Sequence, residues 1–314
     1  MKKRGVALLT ALIVVAIAAA IASVIFFDTG LLLRRSEGSV AREQASQLAG
    51  AAEAAAARIL REELDAGSTP IHPAQRWSTP LGPVEIEHAG IVKGQLIDLQ
   101  GRFNLNSLRD RNGRIDPEAL ALLERLLVIL ELEPVWAAKI ADWIDADDVP
   151  VSGGAEDDLY TSMAPGYRPL NRSLTSVSEL MLLPDFDSAR YARLAPHVSA
   201  LPRDASINLC SATAALLDAM SEERQWVGAE PSLALNRERG CFPREDVFRS
   251  SLKDAAAFLR LQQSVGVSER SRYFQLRTEA VIGTTQFSLY SLMRYEATPP
   301  SPPGVRVLLR QTAE

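Results

Sequence analysis

Histidine is nearly missing from this chain. His72, His88 and His197 are the only three in 314 residues, and no two fall at a ligand or triad spacing. Cysteine is held to Cys210 and Cys241. These shortages exclude a Cys/His zinc centre and a disulfide-built scaffold. No Gly-rich phosphate loop, metalloprotease helix or Ser/His motif context is present, so the chain reads as a non-enzyme. Aromatics are 6% of residues, which leaves Leu, Ala, Val and Ile to build the core. A basic excess is also lacking. Lys and Arg number 34 against 39 Asp and Glu, a net charge of −5, which disfavours a non-specific nucleic-acid binder.

What the chain does have begins at its first residues. Lys2, Lys3, Arg4 and Gly5 precede an apolar run in which no charge appears until Asp28. As a helix, the 23 residues from Gly5 to Phe27 reach roughly 34 Å, enough to cross a hydrocarbon core of about 30 Å. Ala20-Ile21-Ala22 resembles a signal-peptide cleavage site, but this run exceeds the usual apolar region of about 7–15 residues. A membrane-spanning helix is therefore expected, with its basic flank in the cytoplasm and the rest of the chain outside.

The helix is expected to continue. Residues 39–64 lack proline, and Leu48, Ala52, Ala55 and Ile59 recur as one apolar stripe, with Arg58–Glu62 and Glu43–Gln47 on the outer face and Gly67-Ser68-Thr69-Pro70 as the stop. Residues 70–83, with four prolines, read as a linker. Alternation over 84–87 and 91–99 predicts two short strands. Helical patterns follow at 116–132, 134–144, 176–180, 187–194 and up to Met220. Short helices are predicted over about 222–228, 231–238 and 244–249, then another over 251–263. Ile207-Asn208-Leu209-Cys210-Ser211 echoes Phe103-Asn104-Leu105-Asn106-Ser107, a weak internal similarity. Period-2 patterns return at 273–282, 285–295 and 304–310, three strands expected to join the first pair in one sheet. The reading is an α+β fold: a long N-terminal transmembrane helix and a small antiparallel-sheet domain with a large all-α insertion.

Basic-Gly-apolar at 2–9 resembles the prepilin signal of type IV pilins and type II secretion pseudopilins. Together with Gly101-Arg102-Phe103-Asn104-Leu105-Asn106, Ala141-Asp142-Trp143-Ile144-Asp145-Ala146-Asp147, Gly154-Ala155-Glu156-Asp157 and Ser176-Val177-Ser178-Glu179-Leu180, it resembles the K-type minor pseudopilin of the type II (general) secretion pathway. That resemblance implies residues 1–5 as leader, 6–27 as the membrane part of the helix and 28–100 as its remainder with the first strands. An inserted helical domain would cover 101–269, in subdomains of about 101–200 and 201–269, and the C-terminal strands 270–314. It further implies a prepilin peptidase that cuts after Gly5 and methylates Val6. The fifth mature residue is then Thr10, where most pseudopilins carry glutamate and the K-type does not. A glutamate buried there needs a neighbouring subunit's α-amine, whereas Thr10 needs none, as suits a filament end. A bulky insertion likewise suits a tip better than a shaft. The implied role is a tip-complex subunit of the periplasmic pseudopilus. It would be anchored in the bacterial inner membrane and partnered by I-, J- and H-type minor pseudopilins and the inner-membrane secretion platform.

Seven carboxylates (Asp142, Asp145, Asp147, Asp148, Glu156, Asp157 and Asp158) fall within 17 residues around a Pro-Gly-containing turn. If the turn folds them together, their repulsion calls for a cation, and oxygen ligands without His or Cys favour Ca2+. The pattern is not an EF-hand, because Pro150 occupies the glycine position counted from Asp145. The alternative is a solvated acidic loop with helix caps. K-type pseudopilins are calcium binders, so the resemblance favours a structural Ca2+ site here. Trp143 and Ile144 are expected in the core. An oxidising compartment permits a Cys210–Cys241 disulfide, worth about 3–4 kcal/mol on the chain-entropy estimate. Two free thiols are the alternative. Residues 205–249 also suggest a membrane-anchored helix-hairpin-helix DNA-uptake protein. The missing pair of hairpin glycines and the acidic balance disfavour it, and no nucleic-acid partner is expected.

Overall fold

The computed structural model describes residues 3–65, 70–87, 90–296 and 304–313. The expected helix stop at 67–69 and His88 lie outside these residues. Helix α1 (Lys3–Asp65) is one uninterrupted element of 63 residues, and its first part is long and apolar enough to cross a membrane. Its buried stripe differs from the one expected. Ala45, Ala49, Ala56 and Leu60 are fully buried, with Glu53 between them and Leu64 below. Leu48, Ala52 and Ile59 only flank this stripe, and Ala55 is exposed. The small alanines let the sheet approach the helix closely, a determinant that a count of large apolar residues overlooks. Arg58–Glu62 and Gln47–Glu43 do pair on the outer face.

The partner of α1 is a five-stranded antiparallel sheet. It comprises β1 (Leu81–Ile86), β2 (Gly90–Asp98), β7 (Tyr273–Ile282), β8 (Thr285–Glu296) and β9 (Gly304–Ala313), in that spatial order. All five expected strands are therefore present in one sheet, although the chain between the second and third runs through 174 residues. Strand β1 starts inside the expected linker and is mostly exposed. The rest of that linker is packed: Ile71 is buried, and Trp77 meets Phe274 edge-on at 5.1 Å.

Alternate residues of the sheet face α1 in two apolar clusters. Leu60 and Leu64 meet Leu96, Phe274, Leu276 and Met293, while Ala45 and Ala49 meet Val92, Ala280, Phe287 and Leu289. Between the clusters lies Glu53, 6% exposed. Arg310 of β9 grips it with two bonds, Nη2 to Oε1 at 2.7 Å and Nε to Oε2 at 2.9 Å, and Ser291 Oγ donates a third. Burial would raise the Glu53 pKa, but Arg310 and Ser291 outweigh it and hold the carboxyl below its usual value.

Between β2 and β7 the chain forms a helical block with its own core. It contains β3 (Phe103–Asn104), α2 (Pro117–Ile129), α3 (Val135–Ile144), α4 (Asp157–Thr161), α5 (Ser188–Leu194), β4 (Val198–Ser199), β5 (Ile207–Asn208), α6 (Ala214–Ser221), α7 (Glu230–Arg237), α8 (Glu245–Ser250), α9 (Ala255–Ser264) and β6 (Val267–Ser268). The block is thus not purely helical, since β3–β4 and β5–β6 are short parallel pairs. The weak repeat has a structural meaning. Asn104 and Asn208 each lie in a two-residue strand, and their side-chain oxygens accept the N–H two residues on, from Asn106 and Cys210. Residues 222–228 are not helical. Glu222 closes α6 in the left-handed region, and the Asp218 carboxylate accepts N–H bonds from Gln225, Trp226 and Val227, each at 2.8 Å. Ser176-Val177-Ser178-Glu179-Leu180 forms a capping box on a 3-10 turn.

The charge pair sets an expected order of stabilities. Arg310→Ala leaves Glu53 without its guanidinium and should cost about 2–3 kcal/mol, since Arg310 is mostly exposed and water takes part of its place. Glu53→Gln keeps hydrogen-bonding capacity and should cost less, about 1 kcal/mol. Urea unfolding of the chain in mild detergent measures both, and the reverse order would refute the assignment of Glu53 as a buried charge.

Candidate metal centre

Helix α3 carries Asp142 two residues before its last residue, and Asp145 is its C-terminal cap, so the spacing of three puts both carboxylates on one face. The neighbouring side chains hold that end in the core: Trp136, Ile140, Trp143 and Ile144 are all buried, as expected for the last two. The loop after Asp145 turns back over the helix. Val151 N–H donates to Asp142 Oδ1 at 3.2 Å, and Gly154 N–H donates to Val151 O at 2.8 Å. This return is tight enough to require glycine, because a Cβ on Gly154 would lie 1.8 Å from Asp142 Oδ2. Glu156 follows at the position before α4, where its side chain makes no capping bond.

Asp142, Asp145 and Glu156 each place one carboxylate oxygen so that all three lie within 4.8 Å of one another. The three side chains are 0%, 2% and 6% exposed. Asp142 Oδ2, Asp145 Oδ1 and both Glu156 oxygens have no hydrogen-bond partner among the described residues. Buried acceptors are almost always paired, and leaving them bare costs free energy. Desolvation, then repulsion from neighbouring carboxylates (Asp147 for both aspartates, Asp145 and Asp142 for Glu156), raises their pKa values, to about 6 for Asp142, about 7 for Asp145 and about 8 for Glu156. The Val151 and Ala155 amides offset part of the shift at Asp142. Arg109 lies near Asp145 but donates to the carbonyls of Ile144 and Asn171. An all-oxygen, anionic, buried donor set of this kind fits a hard divalent cation and not zinc or copper.

The comparisons with known proteins point one way. The family model described as "Type II secretion system (T2SS), protein K" matches residues 101–203, the half of the helical block that holds these carboxylates. Type II secretion system protein K of Pseudomonas aeruginosa is 34% identical over 306 residues, covering 93% of this chain and 89% of that protein. The protein K of Pectobacterium carotovorum is 32% identical over 308 residues, covering 93% and 92%. The crystal structure of the GspK-GspI-GspJ complex from enterotoxigenic Escherichia coli contains a chain that matches with a TM-score of 0.74 at 25% identity, covering 89% of this chain and 99% of that one. The chain belongs to the type II secretion system protein K family. It is a pseudopilin of that system, and the DNA-uptake alternative gains no support.

Within this protein K chain, the seven expected carboxylates divide. Asp142, Asp145 and Glu156 converge, and the other four stay outside the group. Asp147 accepts Val149 N–H, Asp148 faces the Asn171 amide at 3.4 Å, Asp157 lies 3.6 Å from Arg168, and Asp158 is exposed. Asp147 still acts at a distance, as the largest single charge raising Asp145. Gly5 and Val6 lie in the opening turns of α1, and Thr10 is exposed on its surface. Cys210 and Cys241 are disulfide-bonded, with Cα atoms 4.6 Å apart. Half-buried Arg237 ties the same two segments, donating to the carbonyls of Leu209, Ala212 and Phe242.

Two contributors escaped the sequence reading. Gly154 was visible only as part of a motif, and its close approach to Asp142 shows only in the fold. Asp98 is fully enclosed and accepts bonds from Ser211, Ser271, Asn208 and Gln100 N–H, and no local pattern marks it. Burial raises its pKa against those four bonds.

The raised pKa values fix a pH dependence. The native chain binds more protons than the unfolded one between about pH 4 and pH 8, so metal-free stability should fall as pH rises through that window. Thermal unfolding in a chelator at pH 5 and pH 8 should show the fall, and Asp145→Asn with Glu156→Gln should flatten it. A pH-independent melting temperature in the parent chain would show that the three carboxylates do not share a dry site. Gly154→Ala should destabilise the chain by at least 1–3 kcal/mol, about the cost of overpacking.

Proposed function

We propose that this chain is a tip subunit of the periplasmic pseudopilus, assembled with I-, J- and H-type minor pseudopilins, and that its helical block is braced by calcium. The observation that carries the assembly reading is the match over 89% of this chain to a protein solved in complex with GspI and GspJ. In this reading a prepilin peptidase cuts after Gly5 and methylates Val6. The apolar half of α1 remains in the inner membrane on its secretion platform until assembly, with the rest of the chain in the periplasm. The basic residues ahead of the apolar run support that orientation. Thr10 carries no carboxylate for a following subunit's α-amine, and the helical block adds bulk that a thin fibre cannot repeat along its length. Both features favour a terminal position.

The cation reading rests on the orphaned oxygens of Asp142, Asp145 and Glu156. These three residues would hold Ca2+, with backbone carbonyls and water completing its usual six to eight oxygens. The ion would offset two of the trio's three negative charges and tie the end of α3 to the start of α4, fixing the loop between them. Its role would be structural. That role agrees with membership of a pseudopilin family.

Isothermal titration of the chain in detergent should show Ca2+ binding that Asp145→Asn with Glu156→Gln removes and Asp158→Asn leaves intact. Unchanged binding in the double variant would take the ion away from this loop. The assembly reading is checked separately by co-expression with the I- and J-type subunits, expected to co-purify as a stoichiometric complex. A chain that remains monomeric beside both would overturn the tip assignment.

A further inference from the structure

Helix α1 runs without a break from the membrane segment into the sheet contact, so position along it translates into depth. Successive residues rise about 1.5 Å, which puts Arg34 roughly 45 Å beyond Arg4. A bilayer with its headgroups is about 40–45 Å thick, and its hydrocarbon core about 30 Å. With the basic first turn of α1 at one surface, Arg34 and Arg35 come level with the phosphates of the other. The one charge between them is Asp28, roughly 9 Å short of Arg34. Exposed Phe26, Phe27, Leu31, Leu32 and Leu33 carry the apolar surface up to the arginines.

The folded body offers these arginines no counter-charge. Both are exposed, and neither makes an ion pair or hydrogen bond among the described residues. Glu37, the nearest acid along the helix, forms no pair with Arg34. Ala45 is the first of the described helix residues to be fully buried against the sheet, and it lies roughly 15 Å beyond Arg35. Two arginines on the far side of a span also run against the usual bias, which gathers basic residues on the cytoplasmic side.

We infer that Arg34 and Arg35 form a binding site for anionic phospholipid headgroups in the outer leaflet of the membrane that α1 crosses. The inference rests on the membrane placement of α1 proposed above. A guanidinium takes phosphate oxygens through paired N–H bonds, and lipid phosphates surround a lone spanning helix at this level. A zwitterionic headgroup brings its own cation to the phosphate, so an anionic headgroup is preferred. Removal of residues 1–5 leaves this pair as the first cationic residues of the chain. The depth of the processed helix is then set from the outer leaflet alone, and assembly into a fibre has to break that contact as the helix leaves the lipid.

The test uses the full chain with Lys2→Gln, Lys3→Gln and Arg4→Gln, which removes the other basic flank, reconstituted in phosphatidylcholine vesicles. Electron paramagnetic resonance of trace spin-labelled phosphatidylglycerol or phosphatidylcholine reads how much of each lipid the helix holds. The phosphatidylglycerol label should associate at least about twofold more strongly. Adding Arg34→Gln with Arg35→Gln should equalise the two labels. Arg34→Lys with Arg35→Lys should keep most of the preference, because the attraction is to charge. Equal association before the arginines are changed, or a preference that survives the glutamine pair, overturns the lipid site. Loss of co-purification with the I- and J-type subunits in the glutamine pair, with lipid preference unmoved, would assign the arginines to a subunit contact instead. Flotation separates these results from failure of the membrane placement. A chain that floats with the vesicles but shows no preference loses only the lipid site, and one that does not float loses both.

Discussion

The structure hangs on one helix that must satisfy two solvents. The first half of α1 exposes apolar side chains all round, which only lipid or other apolar helices can accommodate. Its second half must bury a single face against a sheet and leave the other in water. Alanine makes that contact tight: Ala45, Ala49 and Ala56 bring the backbone close to Ala280, Leu289 and Phe274. A closely packed interface has little tolerance for a rotation of the helix. The Glu53–Arg310 pair adds a further restriction, because a buried carboxylate that loses its guanidinium is costly. Helix rotation and the register of edge strand β9 are therefore set together.

A second constraint governs the helical block. It has its own apolar core, yet it places three carboxylates where four of their oxygens are buried and meet no hydrogen-bond donor among the described residues. Such a cluster is a poor stabiliser by itself. The proposed divalent cation would offset most of that cost. Arg109 spends hydrogen bonds on the carbonyls of Ile144 and Asn171 and offsets the charge of Asp145 only in part.

Much of this was legible in the sequence because it is periodic. The apolar run to Phe27, the helices capped by Asp116 and Asp187, and the alternating strands at 273–295 all declare themselves within a few residues. The acidic stretch was legible as a cluster, but choosing Asp142, Asp145 and Glu156 from seven candidates required knowing which way the loop returns. The exact stripe on α1 was missed because alanine is weakly apolar, and because a buried glutamate interrupts it. Residues 222–228 were read as helix from composition, and Asp218 overrides that tendency by drawing three successive amides onto one carboxylate.

The long separation between β2 and β7 raises a final question of how the block stays in step with the sheet. Asp98, the last residue of β2, answers it. Its carboxylate receives Ser211 and Asn208 from the block and Ser271 from the segment entering β7, so both crossings of the boundary meet at one buried acceptor. Gly101 lies beside this junction with no room for a side chain, since a Cβ there would meet Ser211 O at 2.4 Å. Gln100 completes the join, donating to Ser206 O and accepting the Arg272 and Tyr273 amides. With so many partners drawn from both bodies, rotating the block about this junction breaks several buried bonds at once. A subunit built to present its helical block from the end of a fibre depends on that stiffness, because any docking surface on the block is aimed by the orientation that Asp98 holds.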